Sequence, residues 1–103
     1  KIYVDIAENH FSLGNYNHTI GIYEQALKLN LMGIWAESYK NRVRIDLASV
    51  YSDKKNNKQK AIEYLESVKG DNGFVIVNEE DYYSYAQKEI ARLKEELFFE
   101  GKN

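Results

Sequence analysis

Residues 14–27 run Gly14-Asn15-Tyr16-Asn17-His18-Thr19-Ile20-Gly21-Ile22-Tyr23-Glu24-Gln25-Ala26-Leu27. Glycine is typical of the position just past the end of a helix, and asparagine is typical of the position that caps the next one. The stretch therefore predicts the end of one helix, a turn of two or three residues and the start of a second helix. The core face of this second helix is predicted from a spacing of three and four residues: Thr19, Ile20, Tyr23, Ala26 and Leu27.

The residues before this turn predict a partner helix over residues 2–13. Its apolar stripe has the same helical spacing and consists of Tyr3, Ile6, Ala7, His10 and Leu13. Because the connecting loop is so short, the two helices must run antiparallel and pack on each other.

Three more helices are predicted beyond Gly33, which makes the chain all-α. One long helix over 34–53 carries Trp35, Tyr39, Val43, Leu47, Val50 and Tyr51. A helix over 58–69 carries Ala61, Ile62, Leu65 and Val68. A glycine-rich stop follows at 70–73, and residues 74–77 form a short β-branched run without a second strand to pair with, so an extended connector is expected there. Asn78 and the acidic residues after it predict the start of a last helix over 79–98.

The two helical hairpins repeat one pattern of bulky and small residues. The first helix of each pair matches Tyr3-x2-Ile6-Ala7-x2-His10 with Arg44-x2-Leu47-Ala48-x2-Tyr51. The second helix of each pair matches Thr19-x3-Tyr23-x2-Ala26 with Ala61-x3-Leu65-x2-Val68. Small residues allow two helices to approach closely, while bulky ones fill the flanking spaces.

This pattern resembles the tetratricopeptide repeat (TPR), most clearly in residues 14–27. The resemblance implies antiparallel hairpins stacked as a right-handed superhelix, with two repeats and a C-terminal capping helix. The equivalent positions lie 41 to 42 residues apart, whereas the family repeats every ~34 residues. Leu31 stands where the family commonly has proline, and Arg44 where it has a large aromatic residue. Such degenerate and elongated repeats resemble those of bacterial regulatory or sensor proteins.

The expected organisation is a single TPR-like domain over residues 1–103, expected to be a fragment of a longer protein because it does not begin with Met. The expected parts are repeat 1 at about 1–30, repeat 2 at about 34–69, a connector at 70–78 and the terminal helix at about 79–98. The third repeat has no clear register, because two different sets of residues in the last helix fit the pattern.

Composition excludes several classes of function. The chain has no cysteine, which excludes disulfide frameworks, thiolate zinc sites and cysteine nucleophiles. Its net charge of −2 gives no overall attraction to nucleic acid or to an anionic membrane. It has no apolar stretch of the ~20 residues that span a bilayer, and residues 1–5 are not expected to belong to a signal peptide. We therefore expect no membrane insertion and favour a cytoplasmic location.

The resemblance implies a binding surface on the concave wall, which the first helix of each hairpin provides. The wall positions of this chain are Val4, Glu8, Phe11, Arg42, Ile45 and Ser49. Val4, Phe11 and Ile45 are expected to anchor apolar side chains of a peptide. The alternative is that a further hairpin or the terminal helix covers them. Val4 and Glu8 stand where cochaperones of the family have Lys and Asn, so a clamp for a chaperone C-terminal carboxylate is not expected.

The last helix carries a second candidate surface. Its apolar residues follow steps of three and four, which is the spacing of a coiled-coil seam. The seam consists of Tyr83, Ala86, Ile90, Leu93 and Leu97. Such a seam either caps the second hairpin or joins two copies of the chain, and capping is favoured because the hairpin would otherwise expose its apolar stripe.

No catalytic, cofactor-binding or metal-binding pattern is present in the sequence, and we expect a protein that is not an enzyme and has no cofactor. His10 falls in the packing stripe of its helix, and His18 is expected to face solvent. The polar cluster Lys54, Lys55, Lys58 and Lys60 is expected to be a solvated loop, so no nucleic acid is expected to bind this segment.

The leading prediction is thus a protein- or peptide-binding module, the regulatory or sensor part of a larger bacterial protein such as a peptide-sensing transcription regulator or a sensor kinase. The alternative is an oligomerisation or scaffold element that self-associates through the 79–98 helix.

Overall fold

The computed structural model describes residues 2–33, 36–68 and 82–101. Within these ranges it contains no strand, which confirms the predicted all-α class. The five helices are α1 Ile2–Ser12, α2 Tyr16–Leu27, α3 Ala36–Asp53, α4 Lys58–Glu66 and α5 Tyr82–Glu100. Trp35 and the predicted connector at 70–78 lie outside the described residues.

Backbone conformation and hydrogen bonds explain where the helices begin and end. Gly14 adopts a φ of +79°, a left-handed conformation that a residue with a Cβ adopts only at a cost. This lets the amide of Asn15 donate to the carbonyl of His10 at 2.9 Å and so close α1. At the start of α4, the side chain of Asn57 accepts a hydrogen bond from the amide of Lys60, which satisfies one of the free amides of the first turn.

The helices form two layers. Each packs against the next one along the chain in the pairs α1 with α2, α2 with α3, α3 with α4, and α4 with α5. Helix α3 also contacts α5, and the side chain of Arg42 on α3 reaches Glu8 on α1. Helices α1, α3 and α5 therefore lie side by side in one layer, with α2 and α4 behind them.

The core consists of two clusters that share α3. The first lies between α1, α2 and α3 and comprises Val4, Ala7, Ile20, Tyr23, Ala26, Val43, Leu47 and Val50. The second lies between α3, α4 and α5 and comprises Ala48, Ala61, Ile62, Leu65, Val68, Ala86, Ile90 and Leu93. The rings of Tyr51 and Tyr64 pack against both clusters and stack on each other with centroids 5.7 Å apart. Helix α3 thus buries opposite faces in the two clusters.

The structure confirms the predicted core faces of α2 and α4. The buried residues of α2 are Thr19, Ile20, Tyr23 and Ala26. Those in and just after α4 are Ala61, Ile62, Leu65 and Val68. The hydroxyl of Thr19 donates to the carbonyl of Asn15 at 3.0 Å and approaches that of Ala7 at 3.4 Å. This buried polar group is therefore satisfied.

The predicted core face of α1 was wrong in part. Val4 is buried at 4% exposure, while Ile6 and Leu13 are 45% and 67% exposed. Tyr3, Val4, Ile6 and Ala7 are nearly consecutive apolar residues, so the helical period fits a stripe through either Val4 or Ile6. The helix is rotated so that Val4 and Ala7 pack in the first cluster with residues of α2 and α3, and Ile6 lies outside that cluster.

Candidate functional site

The predicted wall residues separate into three groups in the structure. Glu8, Phe11, Arg42 and Ser49 are exposed on the α1–α3–α5 layer. Ile45 is half-buried and packs against the second core cluster. Val4 was predicted as an accessible anchor, and this is wrong because its side chain lies inside the first cluster.

A polar network joins α1, α2 and α3 on the wall. Arg42 lies 3.3 Å from the carboxylate of Glu8 and 3.9 Å from that of Asp46. The hydroxyl of the buried Tyr23 donates a hydrogen bond to Asp46. Burial raises the pKa of Asp46 above its ordinary value, and Arg42 and the Tyr23 hydroxyl partly oppose this effect. Glu8 and Arg42, which were predicted separately as partner-binding residues, therefore pair with each other.

A cleft of about 100 Å³ lies between α3 and α5. Its apolar lining consists of Ile45, Ala48, Leu65 and Leu93. Its polar lining consists of Ser49, Ser52, Asp53, Tyr85, Glu89 and Arg92. The volume is below the ~300 Å³ typical of small-molecule sites and suits a single side chain.

The charged groups of the cleft are unequally paired. Arg92 Nε lies 2.6 Å from Glu89, and the same guanidinium also pairs with Glu96. The hydroxyl of Tyr85 donates to Glu89 at 3.3 Å. The carboxylate of Asp53 accepts hydrogen bonds from Ser49 at 3.3 Å and from Ser52 at 3.1 Å. Among residues 2–33, 36–68 and 82–101 no cationic side chain forms an ion pair with Asp53.

Most of the seam predicted on the last helix is buried within the chain. Ala86, Ile90 and Leu93 belong to the second core cluster, and Leu97 packs against it. Tyr83 is 41% exposed. The buried part of the seam thus faces α3 and α4.

The four lysines of the basic cluster contact different parts of the molecule. Lys54 lies over the rings of Phe11 and Tyr16, with its Nζ 5.7 and 5.9 Å from their centroids. Lys55 donates to the side chain of Asn17 at 2.8 Å. Lys58 pairs with Glu96 and Glu100 on α5, and Lys60 lies over the Tyr64 ring. They do not form one cationic surface.

The two histidines lie together at the α1–α2 turn. Their rings stack with centroids 5.3 Å apart and an interplanar angle of 15°. His10 also lies 3.4 Å from the side-chain amide of Asn15. Parallel rings direct their nitrogens away from a common point, and the part of the chain that the structure describes holds no group of three or more potential ligands for a metal ion.

Sequence reasoning missed the α5 side of the cleft. It assigned α5 to capping or to self-association, and it overlooked Tyr85, Glu89 and Arg92, which are four and three residues apart and form a second stripe beside the seam. It also omitted Asp53 from the wall, although Asp53 follows Ser49 by one helical turn and shares its face. The sequence signal that could have indicated this side of the cleft is the polar stripe of Tyr85, Glu89 and Arg92, which lies beside the apolar seam of α5.

Comparison with family models, with curated proteins and with solved structures finds no match for the chain. None of the described helices combines the length and the apolar character needed to cross a bilayer.

Proposed function

We propose that this chain is a TPR-like, non-enzymatic interaction module whose α1–α3–α5 wall binds a peptide segment of a protein partner. The single observation that carries the proposal is the cleft between α3 and α5, which opens on that wall and has the size of one side chain. Two successive hairpins with matching small residues at Ala7 and Ala48 support stacking as a right-handed superhelix.

The wall suits recognition of a peptide by several shallow contacts. Phe11 offers an exposed ring near one end, and the half-buried Ile45 offers an apolar surface near the cleft. Lys54 lies over the Phe11 ring, and Ser49, Ser52 and Asp53 line the cleft together with Ile45. Apolar anchors within a polar rim are typical of protein interfaces. In this proposal the module is the regulatory or sensor part of a larger bacterial protein, and cleft occupancy is the signal.

A selection from a random peptide library on the purified 103-residue chain tests this proposal. Ser49→Tyr places a ring in the mouth of the cleft, and Gln25→Tyr makes a similar change at an exposed position of α2 in the other layer. We expect selected peptides to lose at least about tenfold in affinity, or 1.4 kcal/mol, for Ser49→Tyr and to bind Gln25→Tyr normally. Failure to select a peptide, or equal binding to both variants, would contradict peptide recognition at the wall.

The alternative function is self-association through α5. The burial of Ala86, Ile90 and Leu93 within the chain favours capping over a dimer at this seam. Sedimentation of the wild-type chain at high micromolar concentration separates the two functions, because a monomer there excludes assembly through α5.

A further inference from the structure

The cleft between α3 and α5 has an apolar interior and a polar rim. Ile45, Leu65 and Leu93 provide aliphatic surface inside it. Asp53 on α3 and Glu89 on α5 place carboxylates at its polar edge. A long cationic side chain has the matching character, because its methylene stem packs on apolar surface while its charged end remains near carboxylates and water.

The lining of the cleft has more negative than positive charge. Its charged residues are Asp53, Glu89 and Arg92, which gives two carboxylates against one guanidinium group. Such a surface attracts a cationic partner and repels an acidic one.

Within this wall, Asp53 differs from the other carboxylates. Glu8, Asp46, Glu89 and Glu96 each pair with an arginine of the wall. Within the described part of the chain, Asp53 accepts hydrogen bonds from the hydroxyls of Ser49 and Ser52 alone, and no cation there pairs with it. The two serines orient the carboxylate without neutralising it, and an ionised carboxylate retains further lone pairs for a cation.

From this geometry, and resting on the proposed peptide-binding function, we infer that the cleft takes a lysine or arginine side chain of the bound peptide. The stem of that side chain lies on Ile45 and Leu65, and its charged end lies against Asp53, with Glu89 on the opposite side. Asp53 is then the residue that selects a cation over a neutral side chain of the same length.

Fluorescence polarisation with a short fluorescein-labelled peptide of alternating lysine and alanine tests this inference. Two further probes replace lysine by norleucine, which keeps the aliphatic stem, or by glutamate. The full chain is expected to bind the lysine peptide at one site, the norleucine peptide more weakly and the glutamate peptide not at all. Binding of the lysine peptide should weaken as salt is added.

Asp53→Asn removes the charge and keeps the shape of the side chain. We expect a loss of about fivefold in affinity for the lysine peptide, which is the upper range for a partly exposed ion pair, and no change for the norleucine peptide. Glu63→Gln is the matched control, because it removes the same charge from an exposed position on α4 in the other layer. Asp53 lies in the last turn of α3, where a negative charge is unfavourable, so the asparagine variant should fold normally.

Three results would overturn the inference: no binding of the lysine peptide, equal binding of the norleucine peptide, or equal effects of Asp53→Asn and Glu63→Gln. The last would mean that only the overall charge matters. Library peptides that respond to Ser49→Tyr but lack cationic residues would refute the inference and leave peptide binding intact. Absence of any peptide that responds to Ser49→Tyr would refute the proposed function itself.

Discussion

The hairpin of α1 and α2 and the hairpin of α3 and α4 carry matching residues but bury them differently. Ile6 and Leu47 occupy equivalent positions in the repeated pattern, yet Ile6 is 45% exposed and Leu47 is fully buried. Their small neighbours, Ala7 and Ala48, are both buried. Both hairpins therefore bury the small residue that allows close helix packing, but only the second hairpin buries the bulky residue beside it.

The difference follows from the number of neighbouring helices. Among the described helices, α3 packs against α2, α4 and α5, whereas the main packing partner of α1 is α2. Leu47 belongs to the first cluster, while Ile6 lies outside it. In stacked hairpins, the position in the stack decides how much a given residue contributes to stability.

The largest expected difference in stability is between substitutions of Val4 and Phe11, two residues of α1 that the sequence analysis placed on the same exposed wall. Val4→Asp places a carboxylate in the first core cluster, so we expect a loss of several kcal/mol in the free energy of unfolding. Phe11→Asp changes an exposed residue and should cost about 1 kcal/mol or less, including its contact with Lys54. Urea unfolding followed by circular dichroism measures both. Similar losses in the two variants would show that Phe11 also belongs to the core.

A direct test of the comparison truncates the equivalent residues of the two hairpins. Leu47→Ala leaves a cavity in a fully enclosed site and should cost about 2–5 kcal/mol. Ile6→Ala removes a side chain that water already reaches and should cost about 1 kcal/mol or less. The same urea experiment provides the measurement. Equal costs would mean that α1 is as enclosed as α3.

The smallest expected effect concerns Asp46, which joins the second hairpin to the first through Tyr23 and Arg42. Its pKa is raised in the folded state, mainly by burial, so between its ordinary value and the raised value the folded chain binds more protons than the unfolded chain. The contribution of this group to stability therefore falls as pH rises through that window. Asp46→Asn should remove this decline.

Unfolding midpoints of the wild-type chain and Asp46→Asn, compared from about pH 3 to pH 7, measure the effect. The difference between them should change with pH in favour of the variant as pH rises. A constant difference across the range would mean that the carboxyl group titrates alike in both states.

Helical periodicity predicted much of this fold because most helices have one clear apolar face. The core residues of α2 and α4 were identified correctly, and the ends of α1, α3, α4 and α5, which fall within the described residues, differ from the predictions by no more than three residues. The rotation of α1 was mistaken because consecutive apolar residues at 3, 4, 6 and 7 fit two faces equally well. Only contacts with α2 and α3 select between them, and those contacts are distant in sequence.

The candidate site was less accessible to sequence reasoning than the fold. Ser49 and Ile45 were placed on the wall by the family resemblance together with the register of α3. The cleft, however, requires Glu89 and Arg92 of α5 to lie opposite Asp53 of α3. That pairing depends on how α5 crosses the second hairpin, which no local pattern encodes. The pairing of Arg42 with Glu8 is a similar case, since it joins residues on separate helices.

Because α3 buries one face in each core cluster, the two hairpins share a single helix as their common wall. If one hairpin unfolds and α3 unfolds with it, both clusters lose core residues, because α3 contributes Val43 and Leu47 to the first cluster and Ala48 to the second. Heating should therefore produce one cooperative transition, and a ligand that tightens the cleft on one side of α3 should raise the melting temperature of the whole chain.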